Sequence, residues 1–426
     1  MGMNQTPAAE RLHIAFFGKR NSGKSSIINA VTGQNLAIVS DVLGTTTDPV
    51  YKTMELLPVG PVMLIDTPGI DDDGELGALR VRKSYQVLNK TDVAILVVDG
   101  QKGLAAEDEK LIQRFQEKKI PYLVAFNKSD LLSKDGGVPV GAENVLLTGI
   151  KPDLHLMEKS TRPENRYIWV SAKEKTNIWE LKEQIAALGV KEENPKRIVA
   201  DLLEPSDLVI LVIPIDKAAP KGRLILPQQQ TIRDILDADA VSVVVKENEL
   251  KNTLSVLGKK PKLVITDSQV FGKVSADTPS DIMLTSFSIL FARYKGNLDT
   301  LVRGVSALDQ IRDGDRILIA EGCTHHRQCD DIGTVKLPRW IENYTGAKPE
   351  YVFTSGTEFP EDLTPYRMII HCGGCMLNER EMKYRIVCAQ EQGIPITNYG
   401  TLIAHLNGIL KRSLAPFPQI AQGLAL

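Results

Sequence analysis

No stretch of this chain comes near the ~18 uninterrupted apolar residues that a membrane-spanning helix needs. The longest runs, such as Leu208–Ile213, have the length of buried strands. No apolar h-region follows the N-terminus, so no secretory leader is expected, and the match of Met1-Gly2-Met3-Asn4-Gln5-Thr6 to the bare myristoylation pattern reads as chance. An excess of charge of either sign is missing too: 51 Lys and Arg against 53 Asp and Glu leave a formal net charge of −2. No global basic field therefore draws the chain to nucleic acid or to anionic lipid, and no basic, aromatic-interleaved module of the kind that reads RNA is visible. There are no short-period repeats. Cysteine is scarce, with five in 426 residues, and four of them fall between positions 323 and 375. An odd, clustered set argues against a disulfide framework and for reduced thiols around a metal, in a cytoplasm.

What remains is a composition 43% hydrophobic and 24% charged, that of an ordinary soluble globular protein, at a length suited to two or three domains. Up to about residue 190 the chain alternates short apolar runs (Leu12–Phe17, Val62–Ile65, Val93–Val98, Tyr122–Phe126, Tyr167–Val170) with helical patterns such as Glu107–Lys119. Continuous apolar runs mark strands buried on both faces, hence a parallel α/β sheet. The stretch Val138–Asn165 carries no readable pattern, and Val190–Ile198 reads as a linker. A second series follows: Leu208–Ile213, helix Pro227–Leu236, strand Ala240–Val245, helix Glu247–Leu257, strand Leu263–Thr266. It holds no His, no Cys and no phosphate loop, and reads as a module for spacing or self-association. The third series is expected to open with a helix over Met283–Arg293 and to continue with strands Arg316–Ile319, Tyr351–Thr354 and Arg367–Ile370, then Ile396 and the helix Thr401–Leu410. The expectation is three α/β domains with mainly parallel sheets, at 1–189, 190–280 and 281–426.

The chemistry starts at Gly18-Lys19-Arg20-Asn21-Ser22-Gly23-Lys24-Ser25, which follows a strand and opens a helix. In that context the motif is a phosphate loop, its backbone N–H groups, with Ser22, Gly23 and Ser26, wrapping the phosphates. Lys24 bridges the β- and γ-phosphates and the Ser25 hydroxyl takes Mg²⁺. Asp66-Thr67-Pro68-Gly69 ends the next apolar strand, placing Asp66 behind the metal and the Gly69 amide near the γ-phosphate. Asn127-Lys128-Ser129-Asp130 ends another, and Asp130 can accept from N1–H and the 2-amino group of guanine. Adenine offers no such pair, and an unpaired buried carboxylate costs ~1–3 kcal/mol or more. Ser171-Ala172-Lys173 suits the base-facing loop. This constellation is a GTP site.

Between these motifs lies Gly44-Thr45-Thr46-Thr47-Asp48, with Thr46 the candidate for Mg²⁺ and γ-phosphate contact and Thr45 its neighbour. The set resembles the GTPases of the tRNA-modification and Era type, which carry G-T-T-x-D and D-T-P-G. Ile70 stands where Ras-like proteins have a water-orienting Gln, so hydrolysis needs another route. Asn21 matches the asparagine that holds K⁺ in the K⁺-activated members of that group. Such an ion does the charge-stabilising work of an arginine finger, worth ~10³–10⁵ in rate, and without it turnover is expected to be slow.

Cys323-Thr-His325 and, after 45 intervening residues, His371-Cys372-Gly-Gly-Cys375 form the second constellation. Each half-site follows an expected strand, where open α/β sheets place ligands. The second runs into an expected helix, Asn378–Gln390, whose N-terminus favours thiolates. Three thiolates and an imidazole can close a tetrahedral zinc site; three thiolates with a displaceable fourth ligand suit a 4Fe–4S cluster. Spacing leaves both open. Glu321, His325 and His371 are the candidate fourth ligands, the histidines alternatively serving as hydrogen-bond donors. Cys388 reads as core, Cys329 and His326 as loop residues, and His13, His155 and His405 as isolated. Asn398-Tyr399-Gly400 is a weak suggestion for the same crevice.

A K⁺-type GTPase, a plain middle domain and a terminal C-x-H…H-C-x-x-C together resemble the HydF family, the GTPases of FeFe-hydrogenase maturation. The resemblance covers nearly the whole chain. It implies a GTPase domain, a dimerisation domain and an iron–sulfur domain whose 4Fe–4S cluster sits on Cys323, Cys372 and Cys375, with His325 and His371 at the family's histidine positions. It also implies a homodimeric scaffold and carrier for the di-iron subcluster precursor, loaded by radical-SAM maturases and unloaded by apo-hydrogenase. The competing expectation is a regulatory GTPase of RNA modification or ribosome assembly with a structural zinc.

Overall fold

A computed structural model describes residues 6–34, 48–70, 74–132, 167–189, 196–215, 224–322, 331–356 and 358–423. The chain divides into two compact units, Met1–Glu193 and Asn194–Leu426. Thr45, Thr46, Cys323, His325, His326, Cys329, His155 and the segment 138–165 lie outside the described residues.

The first unit is one sheet of β1 (Leu12–Phe17), β2 (Val50–Leu56), β3 (Gly60–Asp66), β4 (Val93–Asp99), β5 (Tyr122–Asn127) and β6 (Tyr167–Trp169), in the order β2-β3-β1-β4-β5-β6. All neighbours are parallel except β2 and β3. The continuous apolar runs serve two cores, because successive side chains point to opposite faces. Ala15, Phe17, Leu96 and Val98 enter one cluster, with Phe115 of the helix Ala106–Glu117. Ile14, Phe16, Ile95 and Val97 enter the other, with Ile27 of the helix Lys24–Thr32.

The second unit holds two four-stranded parallel sheets. One has β7 (Leu208–Val212), β8 (Val241–Val245), β9 (Leu263–Thr266) and β10 (Met283–Ser286) in the order β10-β9-β7-β8. The other has β11 (Arg316–Ala320), β12 (Glu350–Thr354), β13 (Met368–His371) and β14 (Ile396–Asn398) in the order β12-β11-β13-β14. The chain enters this unit firmly: the amides of Ile198, Val199 and Ala200 all donate to Asp234 Oδ2, at 3.0, 2.7 and 2.8 Å.

The helix expected over Met283–Arg293 is two elements. Met283–Ser286 is a strand paired with β9, and the helix runs Phe287–Lys295. Apolar residues continue on both sides of the change, but Ser286 marks it, its hydroxyl accepting from the Ile289 amide at 3.2 Å as an N-cap. That helix packs against Leu226–Leu236, Glu379–Glu391 and Tyr399–Leu406, so a single apolar core runs through both sheets. The last expected helix is also divided, into Tyr399–Leu406 and Leu410–Ser413 around Gly408. Among the described residues no helix is long and apolar enough to cross a membrane.

Candidate functional site

In the first unit, the ends of β1, β3, β5 and β6 bring the nucleotide motifs together. The turn from β1 into the helix Lys24–Thr32 closes through Gly23 at φ 94°, and a Cβ there would come within 2.1 Å of Asn127 Nδ2. Lys24 is buried, its Nζ donating to the carbonyls of Gly18 at 2.9 Å and Lys19 at 2.8 Å. Ser26 continues the first turn of this helix, and Asn21 stands exposed at its approach with φ 60°.

Ser25 Oγ donates to Asp66 Oδ2 at 2.8 Å, while Asp66 Oδ1 is buried with no hydrogen-bond partner among the described residues. Burial pushes the Asp66 carboxyl above its usual range, against the Ser25 hydrogen bond and the charge of Lys24. An orphaned carboxylate oxygen at the end of β3 beside a hydroxyl at the end of the phosphate loop is a donor set that fits Mg²⁺ and its bound water. Gly69 follows directly, but Ile70 is buried with Val87 and Leu88 and offers no polar group.

Asn127 ties the phosphate loop to the base loop. Its Nδ2 donates to the Ser22 carbonyl at 3.1 Å and its Oδ1 accepts from the Ala172 amide at 3.1 Å. Asp130 Oδ1 accepts from Ser171 Oγ at 2.6 Å, and Ser171 Oγ also accepts from the Glu174 amide at 3.0 Å. Asp130 and Lys173 are exposed, while Lys128 Nζ donates to Asp99 Oδ2 at 2.7 Å. Asp99, at the end of β4, is a residue that sequence reasoning passed over.

In the second unit, the carboxyl ends of β11 and β13 lie side by side, with Ala320 opposite His371. The Cys372 amide donates to the Ala320 carbonyl at 3.0 Å, and the Gly322 amide donates to Cys372 Sγ at 3.0 Å. Position 322 immediately precedes Cys323, so the chain leading to that cysteine is bonded to the sulfur of Cys372. A second amide, of Gly374 at φ 63°, lies 3.4 Å from the same sulfur. Burial pushes the Cys372 thiol up to about 11 and raises Cys375 as well, the nearby Lys295 opposing the latter. Two amide donors around the sulfur of a half-buried cysteine, on a glycine-rich turn, are a cradle for a thiolate whose charge a metal compensates. Among the described residues no group of three His, Cys, Asp or Glu could hold a metal.

His371 is fully buried with both ring nitrogens engaged. Nδ1 lies 2.7 Å from the Cys372 carbonyl, and Arg385 Nη1 lies 3.0 Å from Nε2. Burial, with Arg385 beside it, pushes its pKa down to about 3, so the ring is neutral: Nδ1–H donates and Nε2 accepts. Arg385 is itself buried, donating also to Glu381 Oε1 at 3.1 Å and the Gly356 carbonyl at 2.7 Å. Glu321, at the end of β11, accepts from the Tyr399 hydroxyl at 3.2 Å. Burial and the Glu321 charge hold Tyr399 well above the usual phenol range. Arg385 and Lys295 were not foreseen from the sequence; Tyr399 lay within the weak Asn398-Tyr399-Gly400 suggestion. Cys388 packs against the core, and His13 and His405 pair with Asp92 and Asp309.

Comparison with known families separates the two units. The hydrogen maturase F dimerization domain matches residues 198–296, and the hydrogen maturase F tetramerization domain matches 299–416. The chain belongs to the hydrogen maturase F family. Within that family the second unit is thus made of two oligomerisation domains, the second of which carries the thiols. The 50S ribosome-binding GTPase family matches residues 13–128, and the first unit is a GTPase domain that binds GTP and Mg²⁺. The tRNA modification GTPase MnmE of Chromobacterium violaceum is 36% identical over 130 residues, 30% of this chain and 28% of that protein. GTPase Der of Clostridium perfringens is 35% identical over 167 residues, 38% of this chain and 36% of that protein. The chain therefore spans about a third of the length of the curated relatives it matches. Among solved structures, Era of Aquifex aeolicus bound to GDP and aluminium fluoride is similar at a TM-score of 0.33 and 22% identity, over 58% of this chain and 98% of that one.

Proposed function

We propose that this chain is a GTP-hydrolysing scaffold that holds a 4Fe–4S cluster on Cys323, Cys372 and Cys375 and passes a di-iron subcluster precursor to apo-FeFe-hydrogenase. The observation that supports this is the Gly322 amide on Cys372 Sγ at 3.0 Å, which ties the residue just before Cys323 to the H-C-x-x-C half-site at the ends of paired strands. Bound there, the cluster supplies a redox-active iron centre with one exchangeable corner. The residues of the chain do the rest. Amides of Gly322 and Gly374 stabilise the Cys372 thiolate, and the His371–Arg385 hydrogen bond fixes the turn that presents it. Because both nitrogens of His371 are committed, Glu321 and His325 are the better fourth ligands, and the Tyr399 hydroxyl can orient Glu321.

In the GTPase unit, Lys24, the Gly69 amide, Thr46 with Mg²⁺, and a K⁺ at Asn21 are assigned to charge stabilisation at the γ-phosphate. Hydrolysis is slow and K⁺-stimulated, and nucleotide state gates partner exchange. The three-domain division at 1–189, 190–280 and 281–426, a homodimer or larger assembly, radical-SAM maturases as loading partners and a cytoplasmic setting complete the proposal. Single Cys323→Ala, Cys372→Ala and Cys375→Ala variants, reconstituted with iron and sulfide without oxygen, test it. Each should lose the electron paramagnetic resonance (EPR) signal of the reduced cluster, whereas Glu321→Ala should keep the iron and change the signal. A Cys323→Ala protein with an unaltered signal rules the site out. The zinc-holding RNA GTPase is the competing reading, and it predicts no such signal in the unmodified chain.

A further inference from the structure

The turn after β4 is docked along the whole of the base loop. Asp99, the last residue of β4, lies opposite Asn127 in the pairing of β4 with β5. The Gly100 amide donates to the Asn127 carbonyl at 2.7 Å, and a Cβ at position 100 would come within 2.7 Å of that oxygen and 2.9 Å of the Trp169 ring. Gln101 Nε2 lies 3.4 Å from the Leu131 carbonyl. Between these contacts stands an ion pair: Lys128 Nζ donates to Asp99 Oδ2 at 2.7 Å, while Asp99 Oδ1 accepts from the Gln101 amide at 3.0 Å. Lys128 has a φ of 66°, in the left-handed region that a long side chain seldom adopts. Its neighbours are committed elsewhere, Asn127 to the Ser22 carbonyl and the Ala172 amide, and Asp130 to Ser171 and the guanine edge assigned to it. A purine also needs apolar cover on its face. The four methylenes of Lys128 can supply it if the ammonium is fixed at one side. Asp99, its side chain 11% exposed against 32% for Lys128, is placed to fix it.

We propose that Asp99 is a positioning residue for the nucleotide: by holding the Lys128 ammonium it lays the lysine stem along the guanine face and slows the release of GTP and GDP alike. This rests on residues 127–130 being the base loop, and it is independent of the thiol site. The base is common to both nucleotides and takes no part in the bond that breaks, so the effect falls on binding and not on hydrolysis.

The test uses the full chain with Mg²⁺ and fluorescently labelled GTP and GDP, whose dissociation rates are measured beside KM and kcat for phosphate release. Asp99→Ala should speed the release of both nucleotides by a similar factor, about tenfold for the loss of a charge-assisted hydrogen bond. KM should rise in step, and kcat at saturating GTP should stay within about twofold. Lys128→Met keeps an apolar stem without its anchor and should also release faster, and adding Asp99→Ala to it should change the rate little further. Unchanged release in Asp99→Ala, an effect on GTP alone, a fall in kcat with release unaltered, or a full further effect in the double variant overturns the proposal. Should Asp99→Ala not fold, Asp99→Asn, which keeps an acceptor for the Gln101 amide and loses the charge, is held to the same outcomes. An unmodified chain that binds ATP as tightly as GTP sinks the base-loop assignment itself, and that is seen before any variant is compared.

Discussion

Replacing Asn127 by Ala should weaken GTP binding without touching the reacting atoms. The side chain is 3% exposed and makes two hydrogen bonds of 3.1 Å, one to the Ser22 carbonyl and one from the Ala172 amide. Truncation leaves both backbone groups short of a partner, at ~1–3 kcal/mol each when buried. The expected loss is therefore about 2–6 kcal/mol, shared between the stability of the unit and its affinity for nucleotide. If only ~2 kcal/mol falls on binding, affinity drops about 30-fold. A titration with fluorescently labelled GTP reads this directly. Saturating nucleotide should restore most of the turnover, because what is lost is the alignment of two loops. Asn127→Asp should be intermediate, keeping the acceptor for Ala172 but turning a donor into a repelled oxygen at Ser22. Affinity within threefold of the unmodified chain, with the protein folded, would show that Asn127 does not couple the loops.

Three further outcomes are expected. Asp130→Asn should lower affinity for GTP at least tenfold and raise it for xanthosine triphosphate, whose C2 carbonyl accepts from the new amide; competition binding checks this. Asn21→Ala should leave GTP binding nearly intact and abolish the advantage of K⁺ over Na⁺ in a phosphate-release assay, and an unchanged cation dependence would exclude the K⁺ role. His371 contributes to acid stability with a definite sign. Its folded pKa of about 3 lies below the ordinary 6.5, so the unfolded chain binds more protons between these values. The contribution is fully present above about pH 6.5 and is lost as pH falls towards 3. His371→Gln should flatten the pH dependence of the melting temperature in that window, and an unaltered slope would contradict the neutral buried ring.

Much of this was legible because both sites follow apolar runs. Leu12–Phe17 and Leu263–Thr266 are strands over the residues that their runs span, and Cys372 sits one residue past the end of β13. The edge strand Val50–Leu56 was not, since its Lys52, Thr53 and Glu55 leave no continuous run and most of it is exposed. Met283–Arg293 failed because its apolar residues, broken only by Thr285, Ser286 and Ser288 before Arg293, satisfy strand and helix periods alike, and Ser286 marks the join as an N-cap. Lys295 and Arg385 could not be read at all. Lysine and arginine on a helix are ordinarily solvated, and here the tertiary packing buries them. His371 stood among possible ligands until the positions of Arg385 and the Cys372 carbonyl accounted for both ring nitrogens.

Iron, acid-labile sulfide and zinc, measured per chain on protein isolated without oxygen, bear most directly on the claim that three thiols grip an iron–sulfur centre. The account predicts about four irons with matching sulfide after reconstitution, and little zinc. One zinc per chain, with no retained sulfide, would contradict it.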